Sequence, residues 1–166
     1  MNPEELLHLM KERRSIRKFK SAMIEEEKIQ QILEAARWTQ SASNRQPWRF
    51  IVIKNKETIT KLQSAAKFGN FVADAPVVIA IIADKKRSPN WYIHDTSMVA
   101  HQICLMAWSL KIGTCWIGSM DRDKAAEALQ IGKHEHVTTI LPLGYFDKMP
   151  DSTSRKDLKN LVTTIT

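Results

Sequence analysis

The chain of 166 residues is long enough for one domain with its own hydrophobic core and too short for two, so we expect a single domain over residues 1–166. Its apolar fraction of 43% and charged fraction of 26%, without a low-complexity tract, are those of an ordinary globular protein and argue against disorder. The net charge of +7 favours an anionic partner, which could be nucleic acid, an anionic membrane surface or a phosphate-bearing small molecule.

Neither a secretory leader nor a membrane span is predicted. The first residues, MNPEELLHLMKERRS, carry two early acids and lack the basic flank and apolar stretch of a signal peptide. The longest apolar run, from Ala75 to Ala83, is too short to cross a bilayer. We therefore expect a cytoplasmic protein with no membrane partner.

Helical and strand patterns alternate along the chain. Helices are predicted from Asn2–Pro3 to about Arg13, from about Glu25 to Thr39, over residues 57–67, from Asp95 to Lys111 and from Asp121 to Leu129. Strands are predicted from Trp48 to Ile53, from Pro76 to Ala83, from Thr114 to Ile117 and from Val137 to Tyr145. The order indicates an α/β or α+β domain and leaves parallel and antiparallel pairing open.

The helix from Asp95 to Lys111 is apolar on nearly every side. A helix of this kind belongs in the middle of a domain or in a subunit interface. The final polar stretch, DKMPDSTSRKDLKNLV, ends in a short apolar stripe formed by Leu158, Leu161 and Val162.

A dense basic patch surrounds the end of the first helix, where Arg13, Arg14, Ser15 and Arg17 follow one another closely. Arginine suits bidentate phosphate recognition, so the patch can be interpreted as a phosphate or nucleotide clamp. On composition alone the patch is more readily interpreted as a solvated basic face, with its cations placed favourably near a helix C-terminus.

Two further stretches could carry chemistry. The segment SASNRQPWRF, residues 41–50, has two amides that could read the donors and acceptors of a planar heterocycle, although Ser and Asn are also ordinary turn residues. In GTCWIGS, residues 113–119, Gly118 either provides a turn or permits close approach of a ligand to the backbone.

Other familiar sites have no support in the sequence. Cys104 and Cys115 show no metal spacing and are predicted to be small core residues, and the histidines lack accompanying ligands at metal spacing, so no metal site is expected. No GxSxG, Walker A or GxGxxG motif occurs. Any chemistry is therefore expected to come from a cofactor.

Taken together, ERRSIRKF, SASNRQPWRF, the apolar helix running into IGTCWIG, and LPLGYF followed by a basic SRKDL tail resemble the nitroreductase superfamily of flavin enzymes in order and spacing. The resemblance implies an α+β fold around a mainly antiparallel sheet of about four strands. It also implies an intertwined homodimer with two FMN sites at the subunit interface.

The resemblance also assigns residues to the flavin. Arg13, Arg14 and Ser15 would hold the FMN phosphate and ribityl chain, and Arg17 would lie near the pyrimidine N1 and O2. Backbone of Ile117 and Gly118 would approach flavin N5, and Arg155 with Lys156 would return to the phosphate. The other subunit would contribute its 41–46 segment, with side chains Ser41, Ser43, Asn44 and Gln46.

The implied activity is hydride transfer from NADH or NADPH through the flavin to a nitroaromatic, a quinone or a similar planar oxidant, without a catalytic side chain. Two alternatives remain: a flavin-binding protein serving one metabolite or flavin storage, and a small basic nucleic-acid binder. The connection over residues 84–93 is shorter than the substrate-covering excursion of larger relatives, and FGNFVAD lacks a lysine that some members place there. The preference between NADH and NADPH stays open.

Overall fold

The computed structural model describes residues 2–166, which form helices and strands in the predicted order. The helices are α1 (Pro3–Glu12), α2 (Glu26–Arg37), α3 (Lys56–Ala65), α4 (Tyr92–Ser109) and α5 (Arg122–Leu129). The strands are β1 (Trp48–Ile53), β2 (Val77–Asp84), β3 (Gly113–Thr114) and β4 (Glu135–Gly144). Short 3₁₀ turns occupy Ala42–Asn44, Asn70–Asp74 and Leu158–Asn160.

The four strands form one sheet in the order β1-β2-β4-β3, and all neighbouring strands are antiparallel. The predicted α+β fold with a mainly antiparallel sheet is therefore confirmed. At one end of the sheet Trp48 lies opposite Ala83 and Asp84 opposite Glu135, whereas Gly113 lies opposite Gly144 at the other end.

Helices cover both faces of the sheet, which explains why β2 is apolar at consecutive positions. Ile79 and Ile81 face the layer of α2 and α4, where they pack with Ile103. Val78 and Ile82 face the layer of α3 and α5. Successive side chains of a strand point to opposite faces, so one strand supplies both halves of the core.

The predicted strand from Thr114 to Ile117 is wrong in its extent. Only Gly113 and Thr114 pair regularly with β4, and Ile117 rejoins that strand through a single bridge to Ile140. Trp116 lies exposed between these two points. The interruption removes the backbone around Trp116 from a regular ladder.

The C-terminal segment leaves the packed body after Phe146, whose ring stacks on Trp108 with centroids 5.5 Å apart. Residues 147–166 are all exposed, including the apolar stripe of Leu158, Leu161 and Val162. Within residues 2–166, no helix combines the length and apolar character that a membrane crossing requires.

Candidate functional site

The basic segment after α1 is fixed by its backbone. The Arg13 N–H donates to the carbonyl of Leu9 (3.1 Å) and ends the helix. Two residues later Ser15 forms a parallel bridge with Thr114, and the Ile16 N–H donates to the Thr114 carbonyl (2.9 Å). Since Ile16 is fully buried, the arginines are displayed from a backbone held against β3.

Arg14 is partly committed to the fold. Its Nη1 donates to the carbonyl oxygens of Lys11, Glu12 and Arg13 at 2.7, 2.9 and 3.2 Å, where the last carbonyls of α1 would otherwise lack partners. Its Nε is buried and has no hydrogen-bond partner within residues 2–166. A buried donor of this kind is costly unless something outside the chain accepts from it.

The basic segment and the C-terminal segment enclose a cleft with a cavity volume of about 400 Å³. Five cationic side chains and one carboxylate, that of Asp151, line it. Arg155 Nη1 donates to Thr153 Oγ1 (2.6 Å), whereas the exposed Lys156 is not part of the lining. The lining consists of Met10, Lys11, Arg13, Arg14, Ser15, Arg17, Pro150, Asp151, Ser152, Thr153 and Arg155.

The segment 41–46 forms a tight loop whose backbone is unusual. Ser43, Asn44 and Gln46 all have positive φ angles, of 51°, 52° and 47°. Each such residue without glycine's freedom costs on the order of 1 kcal/mol. The Gln46 N–H donates to Ser41 Oγ (2.9 Å) and Gln46 Nε2 to Asn44 Oδ1 (3.1 Å), so the predicted polar side chains organise one another.

A buried carboxylate anchors this loop. Asp95, in the first turn of α4, is 2% exposed; its Oδ1 accepts from the Ala42 N–H (3.0 Å) and its Oδ2 from Ser88 Oγ (3.2 Å). The Asp84 N–H donates to the Pro47 carbonyl (2.8 Å) and holds the exit of the loop. The side chains of Ser43, Asn44 and Gln46 remain exposed, ready to face another molecule.

Within one chain the loop and the basic segment lie at opposite ends of α4. Asp95 in its first turn holds the loop, while Thr114, just beyond its last residue Ser109, holds Ser15. At 1.5 Å per residue these ends are about 20 Å apart. The two groups also lie at opposite edges of the sheet, beside β1 and β3. One copy does not bring them together.

Around Gly118 the backbone is only partly used. The Ile117 N–H donates to the Ile140 carbonyl (3.2 Å). Gly118 is exposed, its carbonyl accepts from Arg122 Nη2 (3.3 Å), and its N–H has no partner within the described residues. A Cβ at Gly118 would meet only the ring of Trp116, at 3.5 Å. Of the two predicted backbone donors, the geometry leaves that of Gly118 available.

The buried thiol beside the basic segment is not activated. Burial raises the pKa of Cys115, and Arg17 opposes this increase in pKa only in part. Burial also raises the pKa of Cys104, and both cysteines are buried and unbridged, as predicted. Among residues 2–166, no cluster of His, Cys, Asp and Glu is arranged to hold a metal ion.

Several residues near the site were not identified from the sequence. Lys67 and Phe68 lie beside the Gly118 segment, since the Lys67 N–H donates to the Ser119 carbonyl (3.0 Å). The Arg17 guanidinium carbon lies 6.0 Å from the ring centroid of Phe71. No local pattern indicates these contacts, which join segments about 50 residues apart.

Comparisons with known proteins cover nearly the whole chain. Residues 10–70 and 63–145 match the model of the nitroreductase family. A protein of Methanothermobacter thermautotrophicus, provisionally named an NADH dehydrogenase/NAD(P)H nitroreductase, is 35% identical over 147 residues, which are 85% of this chain and 77% of that protein. A similarly named protein of Archaeoglobus fulgidus is 36% identical over 149 residues, with 86% of each chain covered.

Solved structures agree. An FMN-dependent nitroreductase from Clostridium difficile superposes with a TM-score of 0.86 at 33% identity, covering 96% of this chain and 98% of that one. A protein of Parabacteroides distasonis reaches a TM-score of 0.91 at 21% identity, covering 96% of this chain and 97% of that one, a likeness of fold alone.

Proposed function

Because the chain belongs to the nitroreductase family, we propose that it is an FMN-dependent oxidoreductase that passes hydride from NADH or NADPH to a planar oxidant such as a nitroaromatic or a quinone. The oxidoreductase class follows from the family. The flavin, the oxidant and the residue roles are the proposal.

The observation that carries the proposal is the basic cleft, with its buried unpaired donor. Arg14 lines the cleft and its Nε lacks an acceptor, which a phosphate oxygen would supply. No acidic side chain within residues 2–166 forms an ion pair with Arg13, Arg14 or Arg17, so their charge is available to an anion. The donor set therefore fits the phosphate of FMN.

Each group of this chain has a task toward the cofactor. Arg13, Arg14 and Ser15, with Arg155 from the C-terminal segment, hold the phosphate end. Lys156 lies outside the cleft lining. It would contact the phosphate only if the C-terminal segment adopted a different path. Arg17 places positive charge beside the pyrimidine edge of the ring, which favours uptake of electrons there. The free Gly118 N–H, rather than the paired one of Ile117, orients the reacting edge.

The separation of the loop from the basic segment supports a homodimer. Ser43, Asn44 and Gln46 are exposed near the first turn of α4, whereas the arginines lie beyond its last turn, about 20 Å away along that helix. We therefore expect a second copy to bring its Ser41, Ser43, Asn44 and Gln46 to the same ring. Apolar surface for pairing is available. Leu6, Leu7 and Met10 on α1 are 42–51% exposed, and the apolar stripe of the C-terminal segment is open. Burying such patches is a common reason for oligomerisation.

When bound, FMN would supply hydride exchange between a nicotinamide and an oxidant. Reduction of a nitro group to a nitroso group takes two electrons and two protons and releases water; the nicotinamide hydride provides both electrons and one proton, and solvent provides the other. The protein would bind and orient the flavin and would tune how readily it accepts electrons, and no side chain acts as a nucleophile. The connection between β2 and α4 is short, residues 85–91, and we expect it to leave the entrance open.

Anaerobic titration of the FMN-loaded protein with NADH and with NADPH tests the proposal. Bleaching of the flavin absorbance, followed by its return when a nitroaromatic or quinone is added, is the expected result. A flavin that stays oxidised with both nicotinamides would indicate storage. A protein that fails to take up FMN and retards DNA in a salt-dependent manner would indicate nucleic-acid binding. Sedimentation should give a dimer.

A further inference from the structure

A turn beside Gly118 presents an aromatic ring and a cation to solvent. Phe68 is 76% exposed, and the Lys67 Nζ lies 5.5 Å from the centroid of its ring. Large exposed aromatic rings commonly mark binding surfaces, because leaving them in water is unfavourable. With Trp116 and Arg122, these residues form what we call the Gly118 rim.

The turn that carries Lys67 and Phe68 is rigid. The Gly69 N–H donates to the Ala66 carbonyl (3.2 Å), and a Cβ on Gly69 would lie only 2.5 Å from the Ala66 Cβ. Ala66 also pairs with Met120 across an isolated bridge. The two exposed side chains therefore project from a fixed position.

The remaining members of the rim are held on the other side of the same backbone. Arg122 donates to the Gly118 carbonyl, and the Trp116 ring, 38% exposed, lies next to Gly118. The Trp116 ring and the Arg122 guanidinium thus lie next to the backbone of Gly118, whose N–H is free within the described residues.

The rim has an excess of positive charge. Neither Lys67 nor Arg122 forms an ion pair with an acid within residues 2–166. Two acids flank Arg122 along the chain. Asp121 accepts from the Lys124 N–H at the start of α5 and lies 3.9 Å from Lys124 Nζ. Asp123 is exposed and forms no ion pair with Lys67 or Arg122. A ligand at this rim would therefore meet two cations, Lys67 and Arg122, that no acid pairs directly within residues 2–166.

From this arrangement we propose, resting on the proposed function, that the preferred oxidant is a planar aromatic compound carrying an anionic substituent such as a carboxylate. Phe68 and Trp116 contact the faces of the ring system, while Lys67 and Arg122 attract the anion. The charge is needed for selection among oxidants and not for the transfer of electrons.

The test compares 4-nitrobenzoate with 4-nitrobenzamide, which have nearly the same shape and differ in charge. The readout is the ratio of their kcat/KM values at a fixed nicotinamide concentration. In the FMN-loaded wild-type protein the ratio should exceed one and should fall as salt is added. Lys67→Gln should lower the ratio about fivefold, a change typical of one solvent-accessible charge pair.

Lys54→Gln is the matched control, because it removes one positive charge at the opposite edge of the sheet, where Lys54 pairs with Glu26. Its ratio should equal that of the wild type. Phe68→Ala should lower both kcat/KM values, since ring stacking does not depend on the substituent's charge.

The outcomes separate this inference from the proposed function. Equal kcat/KM values for the two compounds in the wild type, or an equal decrease in both with Lys67→Gln, would overturn the inference and leave the reductase activity standing. A Lys67→Gln variant that changes the NADPH to NADH preference instead would assign the charge to the reductant's extra phosphate and would also overturn it. Absence of turnover with both compounds would overturn the proposed function as well.

Discussion

The loop 41–46 and the arginine cleft differ in how they are held. The loop is fixed from within: a buried carboxylate, Asp95, and a side-chain network keep three left-handed residues in place. One wall of the cleft is equally fixed by Ile16 against β3, but the other wall belongs to the wholly exposed segment 147–166. The loop is therefore preorganised by its geometry. The cleft attracts its ligand by charge, and one of its walls is formed by an exposed segment.

The largest effect should come from Arg14→Ala in the cleft. We expect FMN affinity to fall about 100-fold, or about 3 kcal/mol, because a charge-assisted phosphate contact is lost. Fluorescence titration measures this affinity. Riboflavin, which has no phosphate, is the control and should bind almost as it does to the wild type. An equal loss for riboflavin would contradict a role in holding the phosphate.

Asp95→Ala should act on the loop through geometry. Removal of the carboxylate leaves the part-buried Ala42 N–H and the buried Ser88 hydroxyl without their acceptor, at a cost of about 2 kcal/mol in the free energy of unfolding. Urea denaturation measures this change. Affinities for FMN and riboflavin should fall by the same factor, in contrast to Arg14→Ala.

The matched variant Asp95→Asn keeps an acceptor for Ala42 and gives Ser88 a donor, so most of the stability and affinity should return. If Asp95→Asn were as damaging as Asp95→Ala, the charge rather than the hydrogen bonds would anchor the loop.

Arg17→Ala tests whether the cleft has two ends with different roles, one that binds the phosphate and one that lies beside the flavin ring. At saturating FMN we expect flavin reduction by a nicotinamide to slow about tenfold, since one preorganised charge near the reacting ring is removed. Anaerobic stopped-flow absorbance gives this rate per bound flavin. Flavin loss equal to that of Arg14→Ala, with an unchanged rate per bound flavin, would refute the division.

The smallest expected effect is a loss of stability at low pH. Arg49 holds Glu135 at 2.5 Å at the sheet end that carries the loop, and this hydrogen bond lowers the pKa of Glu135 from 4.5 to about 2. A carboxyl whose pKa is lower in the folded state adds stability above its unfolded pKa, and that stability is lost as the pH falls from 4.5 toward 2.

Urea unfolding of the wild type and of Glu135→Gln at pH 5 and pH 2.5 measures this contribution. The wild type should lose about 1 kcal/mol more than the variant, a value reduced for the half-exposed Arg49. Equal losses in both proteins would show that Glu135 does not contribute to the pH dependence of stability.

The sequence predicted the order of helices and strands because the apolar period is strong, for example at Ile29, Ile32 and Ala36, all buried. The apolar pattern placed the start of α4 at Asp95, although the helix begins at Tyr92. The long-range hydrogen bond of Asp95 to Ala42 leaves no local signature in the sequence. The strand after Gly113 was overextended for a related reason: β-branched and aromatic residues favour a strand, but pairing depends on β4.

The candidate site was predicted unevenly. One cleft is lined by Arg13, Arg14, Ser15, Arg17 and Arg155. Lys156 is not part of the lining, because packing does not set the register of an exposed segment. The turn at Lys67 and Phe68 was not found, since its relation to Gly118 depends on the Ala66–Met120 bridge and is invisible in either segment alone. Residues that are close in space but distant in sequence cannot be identified from local sequence patterns.

Beyond the stacking of Phe146 on Trp108 and the ion pair of Asp147 with Lys20, the chain ends in a run of exposed residues, and all twenty residues of 147–166 are exposed. If two copies assemble as proposed, those residues would be shielded only after association, so a freshly synthesised or highly diluted chain would offer proteases a ready cleavage site. The lifetime of the protein in a cell would then rise with its own abundance, and scarce copies would be cleared first.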